Sequence, residues 1–429
     1  MQEMPPSPDD IVAEKPPVPD EEHEYPSARR LAVILVGSYL AFFLVALDST
    51  IIATAIPRIT DDFNSLNDIG WYGSAYLLTS CAFQLVFGKL YGLFPVKAVF
   101  LVAFGFFELG SLICATAPNS IAMIFGRAIA GLGSAGIMNG LFIILADCVP
   151  LRKRAAFTGI GGSLRGIASV VGPLLGGALT DKVTWRWCFY ISLPIGGVTF
   201  AVIIFFLNSW KDTFIDMDPV GTALFIPAVV CLLLALQWGG AVYAWSNARI
   251  IVLLVLFVLL TIGFAVVQFI NRHHLSTTIP AQMITQRTIA AGTWFTFCVG
   301  ASFFLIVYYL PVWFQAVQDN PAETSGIHQL PLILSTVVMS IVAGIGVTKI
   351  GYYVPFMILS SILLSVGIGL LTTFKVDTGR SVWIGYQILA GCGVGFGMQQ
   401  PVIAAQTVLP RKLIFGGEVS PPTHTSFRH

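Results

Sequence analysis

Long apolar stretches separated by short polar breaks run along the chain from residue 31 to residue 405. Most of them approach or exceed the ~20 residues that a helix needs to cross the hydrocarbon core of a bilayer. The pattern therefore predicts an all-α polytopic membrane protein. The twelve predicted spans are 31–56, 70–92, 96–116, 121–147, 156–180, 187–207, 219–237, 250–270, 288–312, 328–349, 354–374 and 382–405.

The amino-acid composition is that of a chain embedded in lipid. Hydrophobic residues make up 56% of the 429 residues and charged residues only 10%, whereas an average soluble domain has roughly 25% charged residues. The mean hydropathy is +0.81, and the formal net charge is +1. These values exclude a soluble globular domain and a basic surface for nucleic acid.

Motifs of membrane-embedded enzymes and of metal sites are missing from the sequence. It contains no GxSxG or HExxH motif. The seven cysteines are scattered singly without a CxxC pair, and the six histidines show no ligand spacing. We therefore expect no enzyme, no metal site and no cofactor, and we interpret the cysteines as small buried hydrophobic residues.

The acidic N-terminal segment and the charges of the loops predict the orientation. Residues 1–30 are rich in acidic residues and proline and poor in large aliphatic side chains, so we expect a disordered tail. They show no cleavable signal peptide, so the first span is expected to act as its own signal. A cytoplasmic N-terminus puts most loop lysines and arginines on the same side, including Arg152, Lys153 and Arg154. Both termini are therefore predicted to be cytoplasmic.

Four ionisable residues fall inside predicted spans: Asp48, Glu108, Arg127 and Arg165. A charge at the centre of a bilayer costs between ~3 and ~10 kcal/mol, so each is a functional hypothesis. Asp48 either lies at the interface with water or faces a central cavity, where its carboxyl could take and release a proton. Arg127 either extends to the interface or holds a carboxylate. Glu108 is expected to pair with Arg127 or to line the cavity.

Aromatic residues are concentrated in and just after the ninth predicted span, 288–312. We interpret most of them as lipid-facing or packing residues, and we expect a few to line a pocket for a flat, apolar cargo. The set comprises Trp294, Phe295, Phe297, Phe303, Phe304, Tyr308, Tyr309 and Trp313.

Four segments of the first half carry a family resemblance. They are Leu47–Pro57, Arg127 with Gly131 and Gly133, Gly162–Gly177, and Trp185–Ile191 followed by Pro194 and Gly196. Together they resemble the major facilitator superfamily, and within it the 14-helix drug:proton antiporter branch of multidrug and mycotoxin efflux pumps. The resemblance implies two helical bundles around a central site, with alternating access between them.

The resemblance also implies roles for individual residues. Asp48 and Arg127 occupy the positions implicated in proton coupling, and we add Glu108 to them as a candidate. The signature of the fifth span is associated with antiporters and therefore predicts export. Its residues here are Gly162, Gly166, Gly172, Pro173, Gly176 and Gly177.

Two positions depart from the family pattern. The loop between the second and third spans keeps Gly88 and Lys89 of the gating loop, but Gly92 stands where the general pattern has an aspartate. The charge relay ascribed to that loop therefore does not carry over in full. Arg165 stands in the fifth-span signature where an uncharged or aromatic residue is expected. Unless Asp48, Glu108 or Asp147 pairs with it, this arginine should cost several kcal/mol. An unpaired Arg165 is then either tolerated in a wet cavity or impairs the carrier.

The predicted domain organisation follows the same resemblance. Residues 31–207 form an N-terminal six-helix bundle, 208–270 a central two-helix insertion, 271–287 a cytoplasmic loop, and 288–410 a partial C-terminal bundle of four helices. The polar stretch 411–429 follows the twelfth span, where a 14-helix protein would continue. We therefore expect a C-terminally truncated member with about 12 of 14 helices.

The sequence as a whole predicts a proton-coupled antiporter. We expect it to export small lipophilic molecules, such as drugs or secondary-metabolite toxins, as a monomer driven by the proton gradient. The plasma membrane is the expected location, with a vacuolar or vesicular membrane as the alternative. A truncated, non-transporting membrane protein of the same family is the competing interpretation. The cargo and the residues that bind it stay open.

Overall fold

The computed structural model describes residues 26–207, 218–240, 242–270, 286–319, 322–376 and 378–408. Within these ranges the chain is built of helices and turns, with one isolated β-bridge between Gly239 and Tyr243 and no strand. The predicted all-α class is therefore confirmed. The predictions for the acidic tail, for most of the loop 271–287 and for the tail 411–429 concern residues that lie outside the described ranges, apart from 26–30 and 286–287.

The first group of helices matches the six spans predicted for the N-terminal part. Four of these helices, like the predicted spans, are long enough to cross a bilayer with several residues to spare. The whole group consists of α1 (Ala28–Phe63), α2 (Ile69–Leu93), α3 (Val96–Thr116), α4 (Ser120–Cys148), α5 (Leu151–Lys182), the short α6 (Trp187–Tyr190) and α7 (Ser192–Phe206).

The second group forms a helix pair and a C-terminal bundle. Residues 208–217 belong to the predicted insertion and lie outside the described part of the chain. The pair is α8 (Pro219–Trp238) and α9 (Ala248–Ile270), and the bundle is α10 (Arg287–Ala316), α11 (Ala322–His328), α12 (Leu330–Ile350), α13 (Val354–Leu371), α14 (Arg380–Gly397) and α15 (Gln400–Val408).

The helices confirm the positions of the predicted spans and correct some of their ends. The described residues contain 11 helical segments that are long and apolar enough to cross a membrane. The helix at the second predicted span, α2, is outside that set because serine, threonine, glutamine and lysine lower its hydropathy. The last predicted span divides into α14 and α15, because Pro401 lacks the N–H that would continue the helix.

The first predicted span, 31–56, which stops just before Pro57, is too short. The helix α1 continues to Phe63 with Pro57 inside it, and it ends where Asn64 adopts a left-handed conformation with φ 50°. A proline removes one backbone hydrogen bond and usually kinks a helix. Packing against neighbouring helices makes this tolerable in a membrane bundle.

Small residues bring the helices of the N-terminal part close together. A Cβ atom at Gly110 or Gly133 would overlap the backbone of the facing helix, because α3 and α4 nearly touch there. The same is true of Gly126 against Cys114. This close approach is the structural role expected of glycine in membrane helices. The core on this side of the bundle contains the fully buried Phe100, Phe104 and Phe107, whose rings stack in sequence.

The pair α8–α9 lies beside the N-terminal bundle and is held mainly through α2. The Ser74 hydroxyl donates to Gln237 Oε1 at 2.6 Å, and the rings of Trp71 and Trp238 meet edge to face. Most of the surface of α9 is open, since Ile250 is its one buried residue. The pair therefore contributes little to the core of the bundle.

The C-terminal bundle has a core of its own with polar atoms inside it. Phe314, Leu332 and Val394 are completely buried there. Gln387 is also completely buried, and neither its amide nitrogen nor its amide oxygen has a hydrogen-bond partner among the described residues. A buried polar group without a partner destabilises the fold by about 1–3 kcal/mol.

Candidate functional site

A buried ion pair joins two helices at the centre of the N-terminal bundle. The guanidinium of Arg127 on α4 donates through Nη1 to Asp48 Oδ2 on α1, at 2.6 Å. The two side chains are only 1% and 5% exposed. Two oppositely charged groups in a low dielectric attract strongly, and each stabilises the charge of the other. The structure therefore pairs the two residues that the sequence singled out separately.

The arginine is held by more than the aspartate. Its Nε donates to the backbone carbonyl of Tyr72 at 2.9 Å, and its Cζ lies 4.4 Å from the centroid of the Tyr76 ring. Both tyrosines are on α2, so Arg127 connects three helices. A planar guanidinium can make these contacts at the same time, whereas a lysine ammonium cannot. Sequence reasoning missed both tyrosines, because neither stands in a motif.

The stretch of α1 that follows Asp48 packs against the fifth-span glycines. The hydroxyl of Thr50 donates to the carbonyl of Ala168 at 2.9 Å. A Cβ atom at Gly172 would overlap the Thr50 hydroxyl, and one at Gly176 would overlap Thr54. The glycines of this signature thus let α5 approach the part of α1 that carries the aspartate.

Glu108 forms no hydrogen bond with this ion pair. Both of its carboxylate oxygens are buried and have no hydrogen-bond partner among the described residues. The carboxylate packs against Gly196 of α7, where a Cβ atom would overlap it. The expected pairing of Glu108 with Arg127 is therefore not observed. An unpaired buried carboxylate is costly when it is charged.

Arg165 on α5 faces a cavity of about 70 Å³. Among the described residues, no ion pair joins it to Asp48, Glu108 or Asp147, so none of the three expected partners neutralises it. The other walls of the cavity come from α1, α2 and α4. They include Phe42, Val45, Ala46, Ser49, Tyr76, Leu77, Ser80, Ser134 and Met138.

A seam of small residues closes one end of the interface between the two bundles. The hydroxyl of Ser340 on α12 donates to the carbonyl of Gly159 on α5 at 3.2 Å. A Cβ atom at Gly344 would lie 2.6 Å from the carbonyl oxygen of Ala155, and one at Gly166 would overlap Val337. The bundles are thus in direct backbone contact along the first half of α5.

The other end of the same interface is open. A cavity of about 480 Å³ separates the second half of α5 from the junction of α11 and α12. A cavity of this size is within the usual range for small-molecule sites. Its walls include Thr54, Ser169, Pro173, Gly177, Asp181, Lys182, Gly326, Gln329 and Ile333. The structure is therefore closed at the end that contains Ala155 and open at the end that contains Lys182.

Comparison with known proteins identifies the family. The model of the Major Facilitator Superfamily matches residues 38–410. The chain belongs to the major facilitator superfamily. It is an integral membrane protein, as the family and its apolar helices indicate. The resemblance inferred from the sequence motifs is confirmed.

Fungal transporters are among its relatives. The chain is 55% identical over 400 residues to the MFS-type efflux pump MFS1 of Trichophyton rubrum, covering 91% of this chain and 74% of that protein. It is 53% identical over 403 residues to the MFS-type transporter phomT of Diaporthe leptostromiformis, covering 91% and 67%. It is 51% identical over 400 residues to the efflux pump aflT of Aspergillus parasiticus, covering 91% and 77%.

A solved structure shares the fold. The proton:xylose symporter XylE matches with a TM-score of 0.62 over 90% of this chain and 84% of that chain. The sequences are 14% identical, so the match concerns the fold alone. Members of this superfamily are membrane transporters, so the function of this chain is transport, and its relatives handle small molecules.

The two residues predicted to belong to a gating loop, Gly88 and Lys89, lie near the junction of α2 and α3. Gly88 and Lys89 are in the last turns of α2, and Phe94 and Pro95 connect it to α3. Gly92 is buried within the helix end. Near this end of the bundle, the Arg154 side chain donates to the carbonyls of Val149, at 2.9 Å, and Ala146. Arg154 thereby satisfies the last carbonyls of α4, a role that sequence reasoning missed although an arginine just after a helix is typical of it.

The opposite end of the bundle is fastened by the segment around Trp185. Its indole Nε1 donates to Asp62 Oδ2 at 2.7 Å, and Arg186 lies 3.5 Å from the same oxygen. The Arg186 guanidinium also lies over the Trp185 ring, 4.3 Å from its centroid. The Trp185–Ile191 motif therefore fixes the end of α1 that lies beyond Asp48.

The aromatic residues of α10 divide into two sets. Trp294, Phe297, Phe304 and Tyr309 are exposed on the outer surface of the bundle. Phe295, Phe303 and Trp313 pack against the core of the C-terminal bundle. The side chain of Tyr308 lies outside the described part. None of the described side chains of this set lines the 70 Å³ cavity or the 480 Å³ cavity.

Proposed function

We propose that this chain is a proton-coupled antiporter that exports small lipophilic molecules, such as drugs or secondary-metabolite toxins. The observation that carries the proposal is the buried pair of Asp48 and Arg127. A charged pair at the centre of a membrane bundle is expensive to keep, and such pairs mark ion and proton pathways. Relatives named efflux pumps, at 51–55% identity, support export as the direction.

The geometry of the pair suggests how a proton would change it. While Asp48 is charged, its Oδ2 accepts a hydrogen bond from Arg127. A proton on Asp48 would remove the charge attraction, and Arg127 would keep its contacts with the Tyr72 carbonyl and the Tyr76 ring. The segment of α1 after Asp48 would then be free to shift against α5. Loss of the proton would restore the pair.

The two ends of the interface between the bundles support alternating access. With a cytoplasmic N-terminus, as proposed from the loop charges, the seam at Gly159 lies on the cytoplasmic side and the open cavity at Lys182 on the outside. The described conformation would then be outward-facing. Export would require the seam to separate and the outer cavity to close, as in a rocking of one bundle against the other.

We assign Glu108 as a second proton-carrying group in this cycle. Its carboxylate oxygens are buried without a hydrogen-bond partner among the described residues. A buried carboxylate without a partner is tolerated far better in its neutral form than in its charged form. Glu108 would therefore hold a proton in the described conformation, while Asp48 is charged and paired.

Efflux driven by an imposed pH gradient tests the proposal. The full chain is reconstituted in vesicles, and a panel of neutral lipophilic fluorescent dyes is followed with and without the gradient. We expect gradient-dependent transport that is lost in Asp48→Asn. Asp61→Asn is the matched control, because Asp61 is on the same helix but exposed.

Two outcomes would contradict the proposal. Transport by Asp48→Asn that still follows the pH gradient would remove Asp48 from the coupling. Equal dye movement in vesicles with and without a well-inserted chain, across the whole panel, would instead favour the non-transporting interpretation.

A further inference from the structure

The charge of Arg165 is the feature of the N-terminal bundle that the proton-coupling pair does not explain. It lies in the middle of α5, at the wall of the 70 Å³ cavity between α1, α2 and α4. An arginine stays charged at every accessible pH. A charge at this depth costs at least ~3 kcal/mol unless something compensates it.

The described residues supply no compensating charge. The carboxylate of Asp48 is engaged by Arg127 at 2.6 Å, and no ion pair is formed with Arg165 by any described acidic side chain. The residues that line the cavity beside Arg165 include no aspartate or glutamate. The cavity thus has a net positive wall.

The donor on the cavity wall that suits an anion is the guanidinium of Arg165. Four hydroxyl-bearing side chains, Ser49, Ser80, Ser134 and Tyr76, also line the cavity. The hydroxyls of Ser49 and Tyr76 donate to backbone carbonyls of α1. The Ser134 hydroxyl lies 2.7 Å from a backbone carbonyl of α4 and 3.0 Å from the Ser80 hydroxyl. These hydroxyls make the lining polar, and a guanidinium pairs with carboxylates through charge-assisted hydrogen bonds.

The size of the cavity limits what enters it. A water molecule occupies about 30 Å³ in the liquid, so 70 Å³ accommodates a charged head group of a few atoms and not a whole drug-sized molecule. Phe42, Leu77 and Met138 form the apolar part of the lining. An amphipathic molecule could therefore place its acidic head beside Arg165 and keep its apolar body outside the cavity.

We propose that Arg165 binds the anionic head group of the cargo, a carboxylate or a phenolate, in this cavity. The inference rests on the proposed transport function and specifies its substrate class as lipophilic organic acids. Arg165 would act as a specificity-determining residue, whereas the pair of Asp48 and Arg127 would serve coupling. The bound anion supplies the negative charge that the protein does not provide.

Matched probes with and without a charge test this assignment. A fluorescent coumarin carboxylic acid and its methyl ester share one skeleton and differ in the anionic head. Binding of both to the purified full chain is measured by fluorescence anisotropy, and transport of both is measured in vesicles under one pH gradient. The variants are Arg165→Gln, Arg165→Lys and, as control, Arg58→Gln, which removes the same charge at an exposed position of α1.

The acid should bind the unmodified chain about tenfold tighter than the ester, as expected for one charge-assisted contact. Arg165→Gln should abolish this preference by raising Kd and KM for the acid, with kcat and all ester constants nearly unchanged. Arg165→Lys should restore part of the preference, and Arg58→Gln should keep it in full.

Different failures have different meanings. Equal binding of acid and ester by the unmodified chain would overturn the assignment of Arg165, even if gradient-driven ester transport continued and upheld the antiporter. A loss of acid and ester transport together in both Arg165 variants, in chains that remain folded, would also overturn it and would indicate a role in coupling. Acid-selective binding without any gradient-driven transport would uphold Arg165 and refute the proposed antiport.

Discussion

Replacing Gly159 by alanine should open the closed end of the interface between the bundles. A Cβ atom at this position would lie 2.7 Å from the carbonyl oxygen of Ser340 and 3.4 Å from the Cα of Gly344. Ordinary contacts between carbon and carbonyl oxygen are about 3.3 Å or longer, so the two helices would have to separate by roughly 0.6 Å. Both obstructing atoms belong to the backbone, so no side chain can rotate out of the way.

The size of the effect follows from the cost of overpacking, which is about 1–3 kcal/mol for an added methyl group in a tight contact. One factor of ten in a population corresponds to about 1.4 kcal/mol. The closed seam should therefore lose roughly a factor of ten, or more, relative to conformations in which it is open. The gain in helix propensity from glycine to alanine, about 1 kcal/mol, is common to both conformations and does not alter their ratio.

The matched control is two residues away on the same helix. A Cβ atom at Gly161 would lie 3.7 Å from Leu141 and Tyr39, which is an ordinary contact. Gly161→Ala should therefore leave the seam closed. Both changes add the same methyl group to α5, so they differ only in what that group meets.

Thiol labelling measures the opening. Ser340→Cys places a probe at a seam position that is 4% exposed, in a background where the exposed Cys81 and Cys298 are replaced. A membrane-impermeant maleimide is added at the side of the seam. Adding Gly159→Ala should raise the labelling rate about tenfold, whereas Gly161→Ala should leave it unchanged. Equal rates for the two alanine variants would refute the seam as the closing contact.

Three further predictions concern buried polar groups. Arg127→Lys should abolish proton-coupled transport while the chain still inserts, because an ammonium cannot hold Asp48 and the α2 carbonyl together; vesicle efflux under a pH gradient checks this. Gly196→Ala should lower the midpoint of thermal unfolding in detergent, by an amount equivalent to about 1–3 kcal/mol, and Glu108→Ala in the same chain should reverse the loss. Gln387→Leu should raise that midpoint, because it removes a buried amide that has no partner among the described residues, a gain of about 1–3 kcal/mol; a lower midpoint would indicate that the amide has a partner.

The positions of the helices could be predicted from the sequence because the bilayer imposes a length on apolar segments. Where a predicted helix end was wrong, the local preference of a proline competed with the packing of neighbouring helices. Pro57 is a helix breaker in isolation, yet α1 continues past it because neighbouring helices support the chain there. Pro401 does interrupt the last span, and the same residue type thus has opposite outcomes at two places.

The site could be predicted only in part. Asp48 and Arg127 were recognisable, since charges in apolar helices are rare, but their pairing depends on a long-range contact between α1 and α4. Tyr72 contributes a backbone carbonyl and Tyr76 a ring face. Neither contact corresponds to a recognisable sequence motif. For Glu108 the sequence predicted a pairing with Arg127 or a place on the cavity wall, and it could not indicate that Gly196 would face the carboxylate.

The sparse packing of α9 bears on how this chain can diverge. A helix with so little buried surface must be apolar and of suitable length. Few of its positions need a particular side chain for packing. Its 23 residues extend about 35 Å at 1.5 Å per residue, slightly more than the ~30 Å of hydrocarbon in an average bilayer. Mutations among its apolar residues should therefore accumulate almost neutrally, while insertions or deletions are selected against. The length of α9 would then record the thickness of the host membrane, while its amino-acid substitutions would carry no information about cargo.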